Sequence, residues 1–190
     1  MLPEGVLFGS NKAHVELRRK LVEDFDLRAV VSLPAGVFKP YAGVKTAVVV
    51  FQRPAEGKKH ATDKVWFYEV KNDGFDPDKI QGGGRPETPE KNDIPALLAE
   101  WKKYKASGFK KTPGVEAGTL LGAGSEAPSS WWATKKVLAD NDFNLAAARY
   151  KPRVADAVVE EDPAQLIREV LAIEAEIQSA LEKLLKEIEA

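Results

Sequence analysis

Phe38 is the side chain whose surroundings most suggest chemistry. It lies among Pro34, Gly36, Pro40 and Gly43, residues that fix or free the backbone. A ring held on such a loop at the end of a sheet can stack on a flat ligand. It can equally plug the sheet end as an ordinary core phenylalanine. A second candidate is the run Trp101, Tyr104 and Phe109 among Lys102, Lys103, Lys105, Lys110 and Lys111. Aromatics beside lysines suit a nucleic-acid backbone, but an amphipathic helix whose lysine stems lie along its apolar stripe reads the same way. Arg18, Arg19 and Lys20 read first as a solvated helix face and second as phosphate contacts. With no cysteine, and only His14 and His60 far apart, the chain offers neither disulfides nor a metal cage. Gly82–Gly84 is the one dense glycine cluster, and it is not framed as strand, loop and helix.

The elements that must position Phe38 are two nearly continuous apolar runs, Leu27–Leu33 and Thr46–Phe51. Their β-branched content is that of central strands covered on both faces. Before them, Ser10 or Asn11 can cap a helix reaching about Phe25, with Leu17, Leu21, Val22 and Phe25 on one side. After the charged turn at Pro54–Lys64, Val65–Val70 supplies a further strand. No crossover helix fits between the last two long strands, so they can be adjacent and antiparallel. Asp73–Pro95, with four glycines and four prolines, reads as a loop or mobile linker. Asp93 then caps a helix at about 95–107 with Leu97, Leu98, Trp101 and Tyr104 as its stripe. Gly114–Ser130 reads as another loop. Trp131 and Trp132 open a short extended stretch, and only one of them can face inward. Lys135–Ala139 begins a helix, and Asn141–Tyr150 folds back as a compact segment.

The chain of 190 residues is 44% hydrophobic and 30% charged, enough apolar content for a real core. No apolar run approaches the roughly 18 residues of a membrane span, and a cytoplasmic location is the default expectation. The net charge of −1 conceals an asymmetry. Residues 1–155 hold 25 Lys/Arg against 19 Asp/Glu, and residues 156–190 hold 3 against 10. A mildly basic body suits phosphates, and an acidic tail suits protein or simply water.

That tail is the clearest local pattern. Asp162 can cap, Pro163 take the first helical position and Gln165 complete a box-like turn. Leu166, Val170, Ile173, Ile177, Ala180 or Leu181, Leu184 and Ile188 then recur at steps of three and four. Such a seam must pack on something, either the chain's own body or another chain.

Several segments in order resemble the late motifs of N6-adenine DNA methyltransferases, above all the modification (M) subunit of type I restriction–modification systems. They are Leu2–Phe8 (LPEGVLF), the Leu33–Phe51 region, Asn92–Pro95 (NDIP) and Asn141–Tyr150 (NDFNLAAARY). The resemblance implies an α/β fold: the second half of a Rossmann-like methyltransferase sheet, mixed, with an antiparallel strand pair at one edge, plus a long C-terminal helix. It divides the chain into 1–72 as the C-terminal half of the catalytic domain, 73–130 as a loop-rich region with one helix, 131–155 as a closing segment and 160–190 as a coiled-coil-like helix.

The same resemblance implies methyl transfer from S-adenosylmethionine to adenine in DNA. It places Phe38 against the flipped base. The glycine loop for the cofactor and the Asn-Pro-Pro-aromatic tetrapeptide of the family do not occur in this sequence. The expectation is therefore a C-terminal portion that binds no cofactor and does not catalyse alone, so no catalytic, cofactor or metal residue is named. The specificity (S) subunit is the implied partner of the seam Leu166, Val170, Ile173, Ile177, Leu181, Leu184 and Ile188, with the restriction subunit and DNA in the intact complex. The alternative is a non-catalytic interaction module that binds a specificity subunit or self-associates through that helix.

Overall fold

The computed structural model describes residues 1–54, 56, 62–155 and 163–189. They form two units, 1–155 and the tail within 156–190. The body runs β1 (Leu2–Pro3), α1 (Gly5–Phe8), α2 (Lys12–Glu23), β2 (Asp26–Ser32), β3 (Thr46–Gln52), β4 (Lys64–Glu69), β5 (Asp73–Phe75) and β6 (Glu87–Asn92). It continues with α3 (Ile94–Ala106), β7 (Val115–Glu116), β8 (Leu120–Leu121), β9 (Ser130–Thr134), α4 (Lys135–Ala139), a 3-10 turn (Ala147–Tyr150) and β10 (Arg153–Val154). The tail is α5 (Pro163–Glu189).

Six strands make the mixed α/β sheet, in the order β1-β3-β2-β4-β9-β7. β2 is buried almost throughout and takes the middle, antiparallel to β3 and parallel to β4. The expected neighbouring of the Thr46–Phe51 and Val65–Val70 strands is thereby corrected. β2, buried at all but one of its seven positions, separates them, since burial rather than chain order decides the centre. The antiparallel pair at one edge is β1 with β3.

A bulge between Leu27 and Ala29 shifts the β2 register. Without it these residues would share a face; with it they join opposite cores. Leu27, Val30, Phe67 and Trp131 lie under α1, α2, α4 and the 3-10 turn. Ala29, Val31, Trp66 and Tyr68 lie under α3. Trp131 is the inward tryptophan, fully buried; Trp132 is half-buried, with Lys64 Nζ 4.0 Å from its ring centre.

Asn11 is the cap of α2, its Oδ1 accepting from His14 N at 2.8 Å, and the helix stops at Glu23, short of Phe25. Two segments expected as loops carry strands. β5 and β6 pair antiparallel across Asp73–Asn92, and the polar sequence is held by the ion pair of Arg85 with Asp73, both nearly buried. Within 114–130, β7 joins β9 and β8 joins β10, both parallel. Ladders this short and polar carry no hydrophobic period, so pattern reading passes over them.

In α5 the backbone is helical over the expected span, and Val170, Ile173, Ile177, Leu181 and Leu184 are exposed, as are Ile167, Leu171 and Leu185. Among the described residues, α5 is the one element of its unit. Asp162 as cap, His60, and the side chains of Gln165, Leu166 and Ile188 lie outside what the structure describes.

Candidate functional site

β2 and β4 run parallel and end together, Ser32 opposite Glu69. Ligands of open α/β sheets bind outside such carboxyl ends. The chain leaves β2 here, loops from Leu33 to Lys45 and returns as β3.

Local bonds make this loop rigid. Leu33 N donates to Thr46 O at 2.9 Å, closing its base. Lys39 N donates to Gly36 O at 3.0 Å, while Phe38 O accepts from Tyr41 N at 2.8 Å and Ala42 N at 3.0 Å. Gly36 has φ +81, so this turn favours glycine. Val37 packs into the core, and Lys39 Nζ donates to Pro77 O at 2.6 Å. Against these anchors, Phe38 is 40% exposed and Tyr41 is 91% exposed. Two rings therefore stand on the rim, and sequence reasoning singled out one. Tyr41, three residues on in the same Pro/Gly-rich run, carried the signal that could have found the second.

Glu4 ties the loop's two ends. Its Oε1 accepts from Ser32 Oγ at 3.2 Å and lies 3.3 Å from Lys45 Nζ, and its N–H donates to Lys45 O at 3.0 Å. On the neighbouring strand end, Glu69 pairs with Lys151. The rim is thus polar and cross-linked, and it presents aromatic faces to solvent. Stacking is the chemistry such a rim can perform.

The other candidates fall elsewhere. Trp101, Tyr104 and Phe109 pack with Trp66 into one aromatic cluster, at centroid distances of 6.1 Å for Trp66–Trp101 and 5.1 Å for Tyr104–Phe109. Tyr104 is buried, Trp101 and Phe109 half-buried, and burial raises the Tyr104 pKa. These rings serve the core, while Lys102, Lys103, Lys105, Lys110 and Lys111 stay exposed around them. Leu98, expected on the stripe, points away and is exposed. Asp93 does not cap its helix by side chain; its Oδ2 accepts from Lys71 N and Asn72 N at 2.8 Å, and Asn92 Oδ1 accepts from Ile94 N. Gly82–Gly84 lies in the turn closed by the Gln81–Gly84 bridge.

Arg18 is a correction. Expected on a solvated face, it is 2% exposed and donates to the carbonyls of Val6, Gly9, Phe143 and Asp142 at 2.9, 2.8, 3.0 and 3.4 Å. Burial lowers its pKa, yet a guanidinium stays charged at neutral pH. Arg19, paired with Glu16, and Lys20 do lie on the exposed face. Arg18 pins the NDFN turn, where Asp142 and Phe143 both have φ 53. Tyr150 completes that segment: its hydroxyl donates to Asn144 O at 2.6 Å, and burial pushes its pKa up to about 12. Among the described residues no group of three His, Asp or Glu is placed to hold a metal.

Comparison with known proteins agrees with this architecture. A family model, N-6 DNA Methylase, matches residues 1–157. The type I restriction enzyme EcoEI methylase subunit of Escherichia coli is 41% identical over 69 residues, covering 36% of this chain and 13% of that one. A chain from a structure of the type I R-M system, describing its complex assembly and conformational transition, is 29% identical with TM-score 0.56, covering 98% of this chain and 34% of that one. The type I restriction-modification methyltransferase subunit of Streptococcus thermophilus shares the fold at 23% identity and TM-score 0.50, with 78% of this chain and 25% of its own covered. The chain thus spans a quarter to a third of the solved relatives. With most of its length matched by the family model, this chain belongs to the N-6 DNA methylase family.

Proposed function

We propose that this chain supplies the base-holding part of an adenine-N6 DNA methyltransferase, the M subunit of a type I restriction–modification system. The observation that carries the reading is Phe38 on an anchored loop at the shared carboxyl end of β2 and β4. An adenine to be methylated must leave the stack and lie against flat groups, at a cost of a few kcal/mol for unstacking. Phe38 offers one such face, and Tyr41 stands beside it in sequence. Glu4, through Ser32 and Lys45, holds the loop so that the ring is in place before the base arrives.

In the intact enzyme S-adenosylmethionine supplies the methyl group. The residues of this chain do not fit its pocket. Gly82–Gly84 lies in a turn closed by the Gln81–Gly84 bridge rather than leading a strand into a helix, and no Asn-Pro-Pro stands at the rim. The isolated chain is expected to transfer no methyl group. Within this reading the segments 1–72, 73–130, 131–155 and 160–190 keep their separate roles. Sequence choice falls to a specificity subunit docked on the α5 seam, with the restriction subunit as a further partner.

The test is Phe38→Ala in the complete methyltransferase subunit carrying this segment. Base stacking is worth about 1–3 kcal/mol. Methylation kcat/KM should therefore fall by roughly 5- to 150-fold with the fold intact. Unfolding of the variant, with no separable loss on DNA, would make Phe38 a core plug. A second reading, a non-catalytic interaction module, is favoured by the exposed apolar seam of α5. It predicts complex formation with no dependence on Phe38.

A further inference from the structure

A groove of about 310 Å³ lies on the body, walled by Gly118, Thr119 and Leu120 on one side and by Arg149, Lys151 and Arg153 on the other. Three cations at alternate positions face a wall with no charge of either sign. The two walls are one unit, because β10 pairs in parallel with β8. Arg153 N donates to Thr119 O at 3.3 Å, and Ala155 N donates to Leu121 O at 2.9 Å.

Two of the cations are held in place. Arg149 Nε donates to Asn141 Oδ1 at 2.9 Å, leaving its outer nitrogens for another acceptor. Lys151 pairs with Glu69, the last residue of β4. That pair also sets the location. Glu69 is the register partner of Ser32, from which the Phe38 loop departs. The cationic groove is thus tied, through Lys151, to the strand end next to the one from which the Phe38 loop departs.

We propose that this groove binds the phosphate backbone of duplex DNA beside the target base. The proposal rests on the reading of Phe38 as a base-stacking residue. A chain that flips a nucleotide against Phe38 must hold the flanking backbone, and guanidinium groups match phosphate oxygens in pairs. An acidic protein segment is the rival occupant, disfavoured by this tie to the strand end next to the Phe38 loop.

The experiment is fluorescence anisotropy of the full chain with a short labelled duplex across a salt series. Each cation neutralising one phosphate contributes about 0.9 to the slope of log affinity against log salt. Arg149→Gln with Arg153→Gln should flatten that slope by about 1.8, and Arg153→Lys should restore most of its share. Lys102→Gln with Lys105→Gln removes the same charge from exposed positions on α3 and should leave the slope unchanged. If Arg149→Gln lowers thermal stability through loss of Asn141, Arg153→Gln alone carries the test. An equal loss from the α3 pair overturns the proposal, as does full displacement of DNA by millimolar inorganic phosphate or preference for a poly-glutamate peptide. A chain that binds no duplex overturns the groove assignment alone, because the Phe38 reading is scored separately by methyl transfer in the complete subunit.

Discussion

Replacing Arg18 with methionine should remove a large part of the body's stability. The substitution keeps an unbranched stem but deletes every donor. Three bonds of 3.0 Å or less, to Val6, Gly9 and Phe143 carbonyls, disappear, together with a longer one to Asp142. A hydrogen bond from a charged donor is worth about 1.5–3 kcal/mol net, and each buried carbonyl left bare costs further. The sum is reduced because methionine no longer buries a charge. Two further features enlarge it. Gly9 is the C-cap of α1, where a cation meets the negative end of the helix, and Val6 lies within it. Asp142 and Phe143 hold left-handed φ values, each costing about 1–3 kcal/mol, which Arg18 helps to maintain. The expected loss is about 3–5 kcal/mol, against a total of about 5–15 for a domain. Urea denaturation followed by fluorescence of the buried Trp66 and Trp131 measures it as a shift in midpoint at constant slope. Arg18→Lys separates charge from shape. A single ammonium cannot span carbonyls on both sides, so at least half the loss should persist. A loss under about 1 kcal/mol for Arg18→Met would show that water replaces the guanidinium and would refute the reasoning.

Tyr150 is buried with its pKa raised from 10.0 to about 12, so the folded state favours the neutral hydroxyl. Its contribution is complete below pH 10 and is lost as pH rises toward 12, where the unfolded chain ionises first. The alkaline fall of about 2–3 kcal/mol should be absent in Tyr150→Phe; an unchanged alkaline limb would remove Tyr150 as its source. The α5 seam should hold a partner helix, since each large side chain fully buried contributes about 1.5–3 kcal/mol. Ile173→Glu with Ile177→Glu should abolish self-association or capture of a specificity subunit in light scattering. A monomeric chain whose body unfolds when 162–190 is deleted would refute that assignment. A labelled-methyl assay of the isolated chain on mixed duplex DNA should give blank incorporation, and turnover would refute the expected division of the catalytic machinery.

Much was legible in the sequence because it depends on local chemistry. β2 and β3 declared themselves by nearly continuous apolar runs, α5 by its three-four spacing, and the Phe38 loop by its prolines and glycines. The motif order, Leu2–Phe8 through Asn141–Tyr150, likewise needed no coordinates, and the family match spans it. What tertiary structure decided were the contacts between residues far apart in the chain. Arg18 looked like surface because its neighbours at 19 and 20 are charged; the carbonyls at 142 and 143 that enclose it lie 124 and 125 residues away. Trp101, Tyr104 and Phe109 offered the same pattern for a DNA platform or a core, and Trp66 on strand β4 settled them as core. Strands β5 to β8 and β10 are too short or too polar to show a period, and a buried ion pair or a neighbouring ladder holds them. The apolar pattern marks which residues leave water. Which partners a buried charge or ring then finds depends on loop closure and packing, and these are properties of the assembled fold.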